Sequence, residues 1–384
     1  MRYYLIAGEA SGDLHGSNLI RELKKLDVSA DFRCWGGDLM QQEGGTLVKH
    51  YRDLAFMGFI EVIVNLRTIM RNLRFCKKDI LSFAPDVLIL IDYPGFNLRI
   101  AEWAHQHHLK TVFYISPQVW AWKENRVQQI KKYVDKMLVI LPFEEAFYKK
   151  WNYEVEYVGH PLVEVVDQAI ASQPGIPANT TSPLNDPHIV ALLPGSRRQE
   201  VSRKLPIMLE VSKQFPQHTF IVARASSLED SFYDSLMQSF PKVRSVRNKT
   251  YELLMNSKAA VVTSGTATLE TALFGVPEVV CYKGSNISYQ IARRLIKIKY
   301  ISLVNLIMNR EVVKELIQDQ MNVKQVHRAL DQVLHNKDVR ERMLTDYKEL
   351  KELLRRGGNA SANAAVSIYR YMKKINAGKT IAAQ

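Results

Sequence analysis

The sequence has few cysteines and no long hydrophobic run. Its three cysteines, Cys34, Cys76 and Cys281, are far apart and odd in number, which argues against both a disulfide framework and a CxxC metal site. No apolar run approaches the roughly 18 residues of a membrane-spanning helix. The apolar stretch at the N-terminus is short and is followed by acidic residues, unlike a signal peptide. We therefore expect a cytoplasmic protein without disulfides, structural zinc or a transmembrane anchor.

Low-complexity tracts are also missing, and the chain has a deficit of acidic residues. Hydrophobic residues make up 47% and charged residues 24% of the 384 residues, which is typical of a globular protein. This length favours two domains over one. Because 52 Lys and Arg outnumber 39 Asp and Glu, the formal net charge is +13. The excess predicts a polyanion nearby and leaves open nucleic acid, an anionic membrane surface or a phosphorylated substrate.

Short β-rich runs alternate with helical stretches along most of the chain. Runs such as Asp86–Asp92 are almost continuously apolar, as strands are when helices cover both faces of a parallel sheet. A stretch rich in Pro, Ser, Thr and Asn at 172–187 separates two series of such runs. We predict an α/β fold with two Rossmann-like domains, at 1–165 and 186–357. The helical tail at 358–384 is a candidate to pack back on the first domain.

Two segments of the second half are candidates for phosphate binding. At 191–200 a strand, a tight turn and a helix start follow one another, and Ser196 and Gln199 are spaced as a capping box. A helix N-terminus carries a partial positive charge, and Arg197 adds a bidentate donor, so a diphosphate could bind beside Gly195 and Ser196. The alternative is a capped helix with solvated arginines.

The second segment, at 261–270, has the same arrangement of a strand, a turn and the start of a helix. Ser264, Gly265 and Thr266 are small enough for the backbone to approach a phosphate, and Glu270 is one turn into the helix, within reach of ribose hydroxyls. Taken alone, Glu270 could equally be a solvated helix acid. Neither segment contains GxxxxGK or GxGxxG, which weighs against an ATPase and a classical dinucleotide site.

Two carboxylates follow strands in the first half. Glu9 lies in Gly8–Asp13, where the acids predict a neutral or hydroxylated ligand, and Asp13 is better explained as a helix cap. Asp92 ends a fully apolar strand, where α/β sheets bind ligands and where low polarity raises the pKa of a carboxylate toward that of a general base. A cap on the turn before Pro94 is the alternative for Asp92.

Two further segments combine basic and aliphatic residues as membrane-surface helices do. In 57–78, basic residues recur beside an apolar stripe of Phe59, Ile63, Leu66, Met70 and Leu73. In 289–300, basic residues alternate with Ile and Leu. The residues expected to face a membrane are Arg67, Arg71, Arg74, Arg293, Arg294 and Lys297. A core helix with a solvated basic back also fits the first segment.

Eight segments, in order along residues 4–317, together resemble the lipid-A-disaccharide synthases, which are inverting glycosyltransferases of the GT-B fold. These segments are GEASGD, IDYPGFN, SPQVWAW, LPFE, Gly159-His160, LLPGSR, SGTATLE and Tyr300–Leu306. The resemblance implies two Rossmann-like domains facing across a cleft, the first binding the acceptor and the second the UDP-sugar. The family joins UDP-2,3-diacylglucosamine to 2,3-diacylglucosamine 1-phosphate, releasing UDP and forming a β-1,6 disaccharide. Acylated, anionic substrates would suit a basic, apolar surface.

The resemblance also implies roles for single residues. Asp92 would be the base on the acceptor 6-hydroxyl and Glu9 would lie on the acceptor side. UDP would bind at the residues of the two phosphate segments, namely Gly195, Ser196, Arg197, Ser264, Gly265, Thr266 and Glu270. Further residues are expected at the acceptor or in the cleft: Ser11, Asn97, Trp120, His160 and Asn305. Family members often carry a second acid where this chain has Gly95, which disfavours a mechanism that needs two acids there.

No cofactor and no metal are implied, because GT-B enzymes generally stabilise the departing diphosphate with helix dipoles and basic side chains, and no DxD motif occurs in the expected place. The resemblance implies peripheral association with the cytoplasmic side of the inner membrane of a Gram-negative bacterium, and no nucleic-acid partner. It leaves a homodimer open. Two alternatives remain. A UDP-sugar epimerase of the same fold would act on soluble sugar nucleotides, and a nucleic-acid-binding protein would interleave its basic residues with exposed aromatics instead of aliphatics.

Overall fold

The computed structural model describes residues 1–54, 66–122, 124–172, 184, 186–285, 289 and 298–382. The chain divides into two compact units, one formed by Met1–Pro161 with Leu354–Gln384 and the other by Leu162–Leu353. Each unit is built around one parallel sheet. Which substrate each domain binds stays a prediction.

The first unit contains a seven-stranded sheet in the order β3-β2-β1-β4-β5-β6-β7. Its strands are β1 (Arg2–Ala7), β2 (Asp31–Gly36), β3 (Thr46–His50), β4 (Val87–Ile91), β5 (Thr111–Tyr114), β6 (Lys136–Val139) and β7 (Glu156–Tyr157). Strands β4 and β5 are buried along their whole length because both faces of the sheet are covered. The connecting helices are α1 (Ala10–Leu26), α2 (Asp38–Gln42), α3 (Leu66–Phe83), α4 (Pro94–Gln106), α5 (Val119–Trp122), α6 (Arg126–Tyr133) and α7 (Glu144–Lys149).

The second unit contains a six-stranded sheet in the order β10-β9-β8-β11-β12-β13. Its strands are β8 (Ile189–Leu193), β9 (Thr219–Arg224), β10 (Arg244–Arg247), β11 (Ala259–Thr263), β12 (Glu278–Tyr282) and β13 (Lys314–Ile317). The helices that follow β7 are α8 (Pro161–Ser172), α9 (Arg198–Ser212), α10 (Asp230–Met237), α11 (Thr250–Met255), α12 (Thr266–Leu273), α13 (Leu303–Met308), α14 (Val323–His335), α15 (Lys337–Arg355) and α16 (Ala360–Ala382).

The C-terminal helix α16 belongs to the first unit, as predicted. It packs against α1, and its Ala364 and Ile368 lie in the same buried cluster as Tyr3 and Leu5 of β1. Alternate residues of β1 point to the other face, where Tyr4 belongs to a second buried cluster. The predicted α/β architecture of two Rossmann-like domains is therefore confirmed.

The predicted capping box is wrong. Helix α9 begins at Arg198, and its N-cap is Arg197, whose backbone is extended and whose side chain makes no capping hydrogen bond. Ser196 therefore lies one residue too early to cap the helix. The left-handed φ of 110° at Gly195 opens the turn, so that one more extended residue precedes the helix.

None of the described helices is both long and apolar enough to span a membrane.

Candidate functional site

In each sheet the strand order reverses between two neighbouring strands, β1 and β4 in the first unit and β8 and β11 in the second. Open α/β sheets bind ligands at the carboxyl ends of the strands beside such a reversal. Glu9 follows β1 and Asp92 follows β4. In the second unit, Pro194–Arg197 (the β8 turn) follows β8 and Ser264–Thr266 (the β11 turn) follows β11. Each pair of predicted segments therefore lies at the reversal point of its own sheet.

The ends of β1 and β4 are in direct contact. A Cβ atom added to Gly8 would lie 2.3 Å from the Tyr93 ring, so only glycine fits beside this aromatic side chain. Glu9 is the N-cap of α1, with an extended backbone, and Ser11 is exposed in the first turn. The first turn of α1 thus presents polar side chains next to the end of β4.

Asp92 and Tyr93 both have left-handed backbones, with φ of 45° and 49°. Such non-glycine residues cost about 1 kcal/mol or more each and often mark functional sites. The buried amide of Asn97 stabilises the turn, since its Nδ2 donates to the carbonyl oxygen of Asp92 at 2.7 Å and to that of Ile91 at 3.3 Å. Asn97 was expected at the acceptor or in the cleft. Its contacts hold the backbone that presents Asp92.

The pKa of Asp92 is raised to about 7. Burial is the main cause, the negative charge of Glu9 raises the pKa further, and a hydrogen bond from the backbone N–H of Tyr93 opposes both. A carboxyl group with this pKa is partly ionised at neutral pH and can accept a proton from a bound hydroxyl.

Asp13 caps a helix, but not its own. Its buried carboxylate accepts hydrogen bonds from the backbone N–H groups of Gly37, Leu39 and Met40, at 2.8, 3.2 and 3.1 Å. These groups lie at the start of α2. The expectation that Asp13 caps α1 is therefore wrong, because Glu9 occupies that N-cap and Asp13 lies inside the first turn.

A buried carboxyl group joins the SPQVWAW and LPFE segments. Glu144 accepts a hydrogen bond from Trp120 Nε1 at 3.2 Å and from the backbone N–H groups of Leu141 and Ile140 at 2.9 and 3.2 Å. Burial raises the pKa of Glu144 to about 7, against the effect of these bonds. Trp120, expected in the cleft, is buried and fixed by Glu144. Glu144 lies in the LPFE motif, but no role was predicted for its side chain.

Two histidines of the first unit are buried. Burial lowers the pKa of His15 to about 4 and that of His160 to about 3, and His15 lowers the pKa of His160 further. Both rings are therefore neutral at physiological pH. His160 was expected to line the cleft, whereas no motif predicted a role for His15, which lies two residues after the GEASGD segment.

In the β8 turn, Glu200 fills the space beside Gly195. A Cβ atom on Gly195 would lie 2.6 Å from Glu200 Oε2, so a side chain there meets both the carboxylate and an unfavourable φ. Arg197 is exposed, with Nη1 3.9 Å from Glu200 Oε1. Ser227 Oγ donates to the carbonyl oxygen of Ser196 at 3.1 Å and links this turn to the loop after β9.

The β11 turn leads directly into α12. Ser264 Oγ donates to the carbonyl oxygen of Ile301 at 3.0 Å, and no described atom lies within 4 Å of a Cβ built on Gly265. The start of α12, including the exposed Thr266, is therefore open to a ligand. Glu270 is half-buried and accepts a hydrogen bond from Tyr251 at 2.8 Å. Burial raises the pKa of Glu270, against the effect of this bond.

Asn305 is fully buried and braces the chain around β13. Its Nδ2 donates to the carbonyl oxygen of Val313 and to Glu315, both at 2.9 Å, and its Oδ1 accepts from the backbone N–H groups of Val312 and Val313. These bonds engage both the nitrogen and the oxygen of the Asn305 side-chain amide. Asn305 was expected at the acceptor or in the cleft.

Arg67, Arg71 and Arg74 are exposed on α3. The apolar stripe predicted beside them is divided, because Leu73 is buried whereas Met70 is 44% exposed. The exposed apolar side chains on this helix are Met70, Phe75 and Leu81. Several residues of the two basic segments lie outside the described residues, namely Phe59, Ile63, Arg293, Arg294 and Lys297.

Within the described part of the chain, no group of three His, Cys, Asp or Glu side chains is arranged to hold a metal ion.

Solved structures share the fold at low sequence identity. UDP-GlcNAc 2-epimerase from Neisseria meningitidis, bound to UDP-GlcNAc, matches with a TM-score of 0.65 and 12% identity, covering 97% of this chain and 100% of that one. The calicheamicin glycosyltransferase CalG4 matches with a TM-score of 0.63 and 16% identity, covering 98% and 99%. These identities show the fold alone, a GT-B architecture common to glycosyltransferases and epimerases.

The sequence comparisons are more specific. The family model described as Lipid-A-disaccharide synthetase matches residues 3–369. Lipid-A-disaccharide synthase of Geobacter sulfurreducens is 36% identical over 379 residues, covering 97% of this chain and 98% of that protein. The enzyme of that name from Syntrophus aciditrophicus is 39% identical over 382 residues, covering 96% and 97%. These matches confirm the resemblance read from the eight segments, and the chain belongs to the lipid-A-disaccharide synthase family.

Proposed function

We propose that the protein is a hexosyltransferase that joins UDP-2,3-diacylglucosamine to 2,3-diacylglucosamine 1-phosphate. The products are UDP and the β-1,6-linked lipid A disaccharide 1-phosphate. The observation that carries the assignment of the chemistry is Asp92, a half-buried carboxyl group with a pKa of about 7 at the reversal point of the first sheet, in a chain of this family.

Asp92 acts as the single general base. The acceptor 6-hydroxyl attacks the anomeric carbon of the donor sugar as Asp92 takes the hydroxyl proton, and the bond from that carbon to the UDP oxygen breaks. Attack on the face opposite the leaving group inverts the anomeric configuration. Glu9 raises the pKa of this base, and Gly95, exposed in the first turn of α4, supplies no second acid.

The second unit binds the UDP part of the donor. The starts of α9 and α12 offer backbone N–H groups and the positive ends of helix dipoles to the diphosphate, and Arg197 adds an exposed cation. These groups stabilise the negative charge that develops on UDP as it departs. Glu270, held by Tyr251, is the candidate partner of the ribose hydroxyls.

The protein associates peripherally with the cytoplasmic surface of the inner membrane, through α3. Arg67, Arg71 and Arg74 alternate there with the exposed side chains of Met70 and Phe75. Basic residues beside apolar ones suit an anionic bilayer surface, where the acyl chains of both substrates reside. A homodimer stays a prediction, which light scattering of the purified protein would test.

The direct test supplies both acylated substrates to the purified protein and measures UDP release together with disaccharide formation. The matched control is UDP-N-acetylglucosamine alone. A transferase without its acceptor gives essentially no turnover, whereas a UDP-sugar epimerase of this fold converts the control substrate. Conversion of UDP-N-acetylglucosamine without disaccharide formation would favour the epimerase.

A further inference from the structure

The second unit contains a buried lysine that the proposed reaction does not use. Lys204 lies in the second turn of α9 and is 2% exposed. Its Nζ lies 5.8 Å from the centre of the Tyr282 ring. Among the described residues, no hydrogen bond or ion pair joins this ammonium group to a partner. Because burying a charge is unfavourable unless another group compensates it, the position of Lys204 calls for an electrostatic explanation.

The neighbours of Lys204 place its charge near the reversal point of the second sheet. Burial lowers the pKa of Lys204, Glu200 and Cys281 raise it, and Arg197 lowers it. Arg197 and Glu200 lie where β8 passes into α9, whereas Cys281 and Tyr282 end β12. Strand β11 lies between β8 and β12. Lys204 lies four residues after Glu200 on α9, and helical side chains tilt toward the helix N-terminus, so Lys204 leans toward Glu200 and the start of the helix.

The acidic side chain of Glu200 lies at the same turn and calls for a compensating positive charge. Glu200 Oε2 lies against the backbone of Gly195, in the turn where the diphosphate is proposed to bind. A carboxylate there repels a diphosphate unless a cation offsets it. Arg197 is 3.9 Å from Glu200 but its side chain is 58% exposed, so water and salt screen its charge. Lys204 is buried, and screening weakens its field less.

A buried hydroxyl at the same point has no partner either. Thr263 ends β11 and is 5% exposed, and its Oγ1 has no hydrogen-bond partner within the described part of the chain. Its methyl group is 3.5 Å from the position of a Cβ on Gly195. Thr263 and Glu200 therefore both lie beside Gly195 in the β8 turn, and Lys204 is one helical turn from Glu200.

We propose that Lys204 is a positioning residue of the diphosphate site, whose buried charge offsets Glu200 and thereby allows the β8 and β11 turns to accept the diphosphate of a nucleotide sugar. The inference rests on the proposed function in one respect, that the second unit binds a nucleoside diphosphate. Lys204 acts through Glu200 and the turns, without touching the sugar.

A purely structural role makes a different prediction. If Lys204 only packs its aliphatic stem beneath Tyr282, then Lys204→Met preserves that packing and nucleotide binding does not change. If its charge is needed, Lys204→Met loses affinity for diphosphate-containing ligands, and Lys204→Arg keeps most of that affinity.

The test is calorimetric titration of the full-length protein with UDP, inorganic diphosphate and uridine. We expect Lys204→Met to weaken UDP and diphosphate binding by about tenfold while uridine binding is unchanged, the scale of one charged interaction. The double variant Glu200→Gln/Lys204→Met should recover most of the lost affinity, since both opposing charges are then absent. Unchanged UDP affinity in Lys204→Met, equal losses for uridine and UDP, or no recovery in the double variant would each overturn the proposal.

Two further measurements keep the test decisive. If Lys204→Met does not fold, Glu200→Gln alone should tighten UDP binding, because the charge of Lys204 is then unopposed; weaker or equal binding contradicts the proposal. Disaccharide formation by the parent protein is measured separately. An active parent whose UDP affinity does not depend on Lys204 overturns this inference alone, whereas a parent that binds UDP with the expected Lys204 dependence but forms no disaccharide overturns only the proposed reaction.

Discussion

At the scale of single residues, the proposed reaction depends on Asp92. Its carboxyl group is partly protonated near neutral pH, because burial raises its pKa to about 7. We expect Asp92→Asn to lower turnover by at least about a hundredfold, because an amide cannot accept the acceptor proton. UDP binding should stay near normal, since Asp92 belongs to the first unit. UDP release assays and calorimetry test both parts. Near-normal turnover in a folded variant would assign the base to another residue, with Glu9 the next to examine.

The neighbouring acid provides a second test by pH. Asp92 must be ionised to act as a base, so kcat/KM should rise with pH through an apparent pKa of about 7. The charge of Glu9 raises that pKa, so Glu9→Gln lowers it and moves the rising limb toward lower pH. Glu22, a half-buried acid at the other end of α1, serves for the control variant Glu22→Gln. If the rising limb of the kcat/KM profile has the same apparent pKa in Glu9→Gln as in the parent, Glu9 does not affect the pKa of Asp92.

Arg197 is the residue of the β8 turn whose contribution to UDP binding can be measured separately. We expect Arg197→Ala to weaken UDP binding by about 1 kcal/mol, below the usual range for a charged hydrogen bond because solvent screens the exposed side chain. Arg198 is the matched control, since its guanidinium is engaged 4.3 Å from the centre of the Phe232 ring. Calorimetry with UDP should show a loss for Arg197→Ala and almost none for Arg198→Ala. Equal effects would exclude a specific role for Arg197.

At the scale of elements, α3 can be tested as a membrane-docking surface. Each basic residue near an anionic bilayer contributes about 1 kcal/mol, which salt screens over about 8 Å. Changing Arg67, Arg71 and Arg74 to Ser should therefore reduce sedimentation with anionic liposomes, and salt should weaken binding of the parent.

The control variant for this experiment also removes three positive charges, but from a different surface of the protein. Lys324, Arg328 and Lys348 are exposed on α14 and α15, and changing all three to Ser should leave sedimentation nearly unchanged. UDP binding should persist in both triple variants. Equal losses from the two surfaces would indicate attraction by net charge alone, and salt-insensitive binding of the parent would contradict docking through the arginines of α3.

The elements also show what a sequence pattern can predict. Strands such as β4 are recognisable because burial on both faces makes every residue apolar, and motifs after strands necessarily lie at the carboxyl edge of a parallel sheet. Contacts between distant segments have no such periodic signal. Asp13 caps α2 across 24 residues or more, and Trp120 bonds Glu144 across 24. The sequence could therefore locate the edge of the sheet where Asp92 lies, but not the side chains that fix its surroundings.

At the scale of the whole molecule, the first unit contains ionisable groups whose effects on the stability of the fold oppose one another as pH changes. His15 and His160 have pKa values of about 4 and 3 in the folded protein and about 6.5 when unfolded. Between these values the unfolded chain binds more protons, so stability falls as pH decreases. Asp92 acts in the other direction, because its pKa is about 7 when folded and 3.8 when unfolded. The folded protein then binds more protons, and stability falls as pH rises toward 7.

Glu144, whose pKa is also about 7 in the folded protein, acts in the same direction as Asp92. Linkage between proton binding and folding gives each histidine a loss of about 2 kcal/mol of unfolding free energy between pH 7 and pH 5, and each of the two carboxyl groups a gain of about the same size. We therefore expect the four contributions to offset one another in the parent protein. Urea unfolding at several pH values measures the slope. His15→Leu should remove the loss that His15 contributes below pH 6.5, because a leucine binds no proton in either state, so the variant should gain stability relative to the parent as pH falls. Replacement of the exposed His105 by leucine should leave the slope unchanged. An equal slope in the parent and in His15→Leu would mean that His15 is protonated in the folded protein.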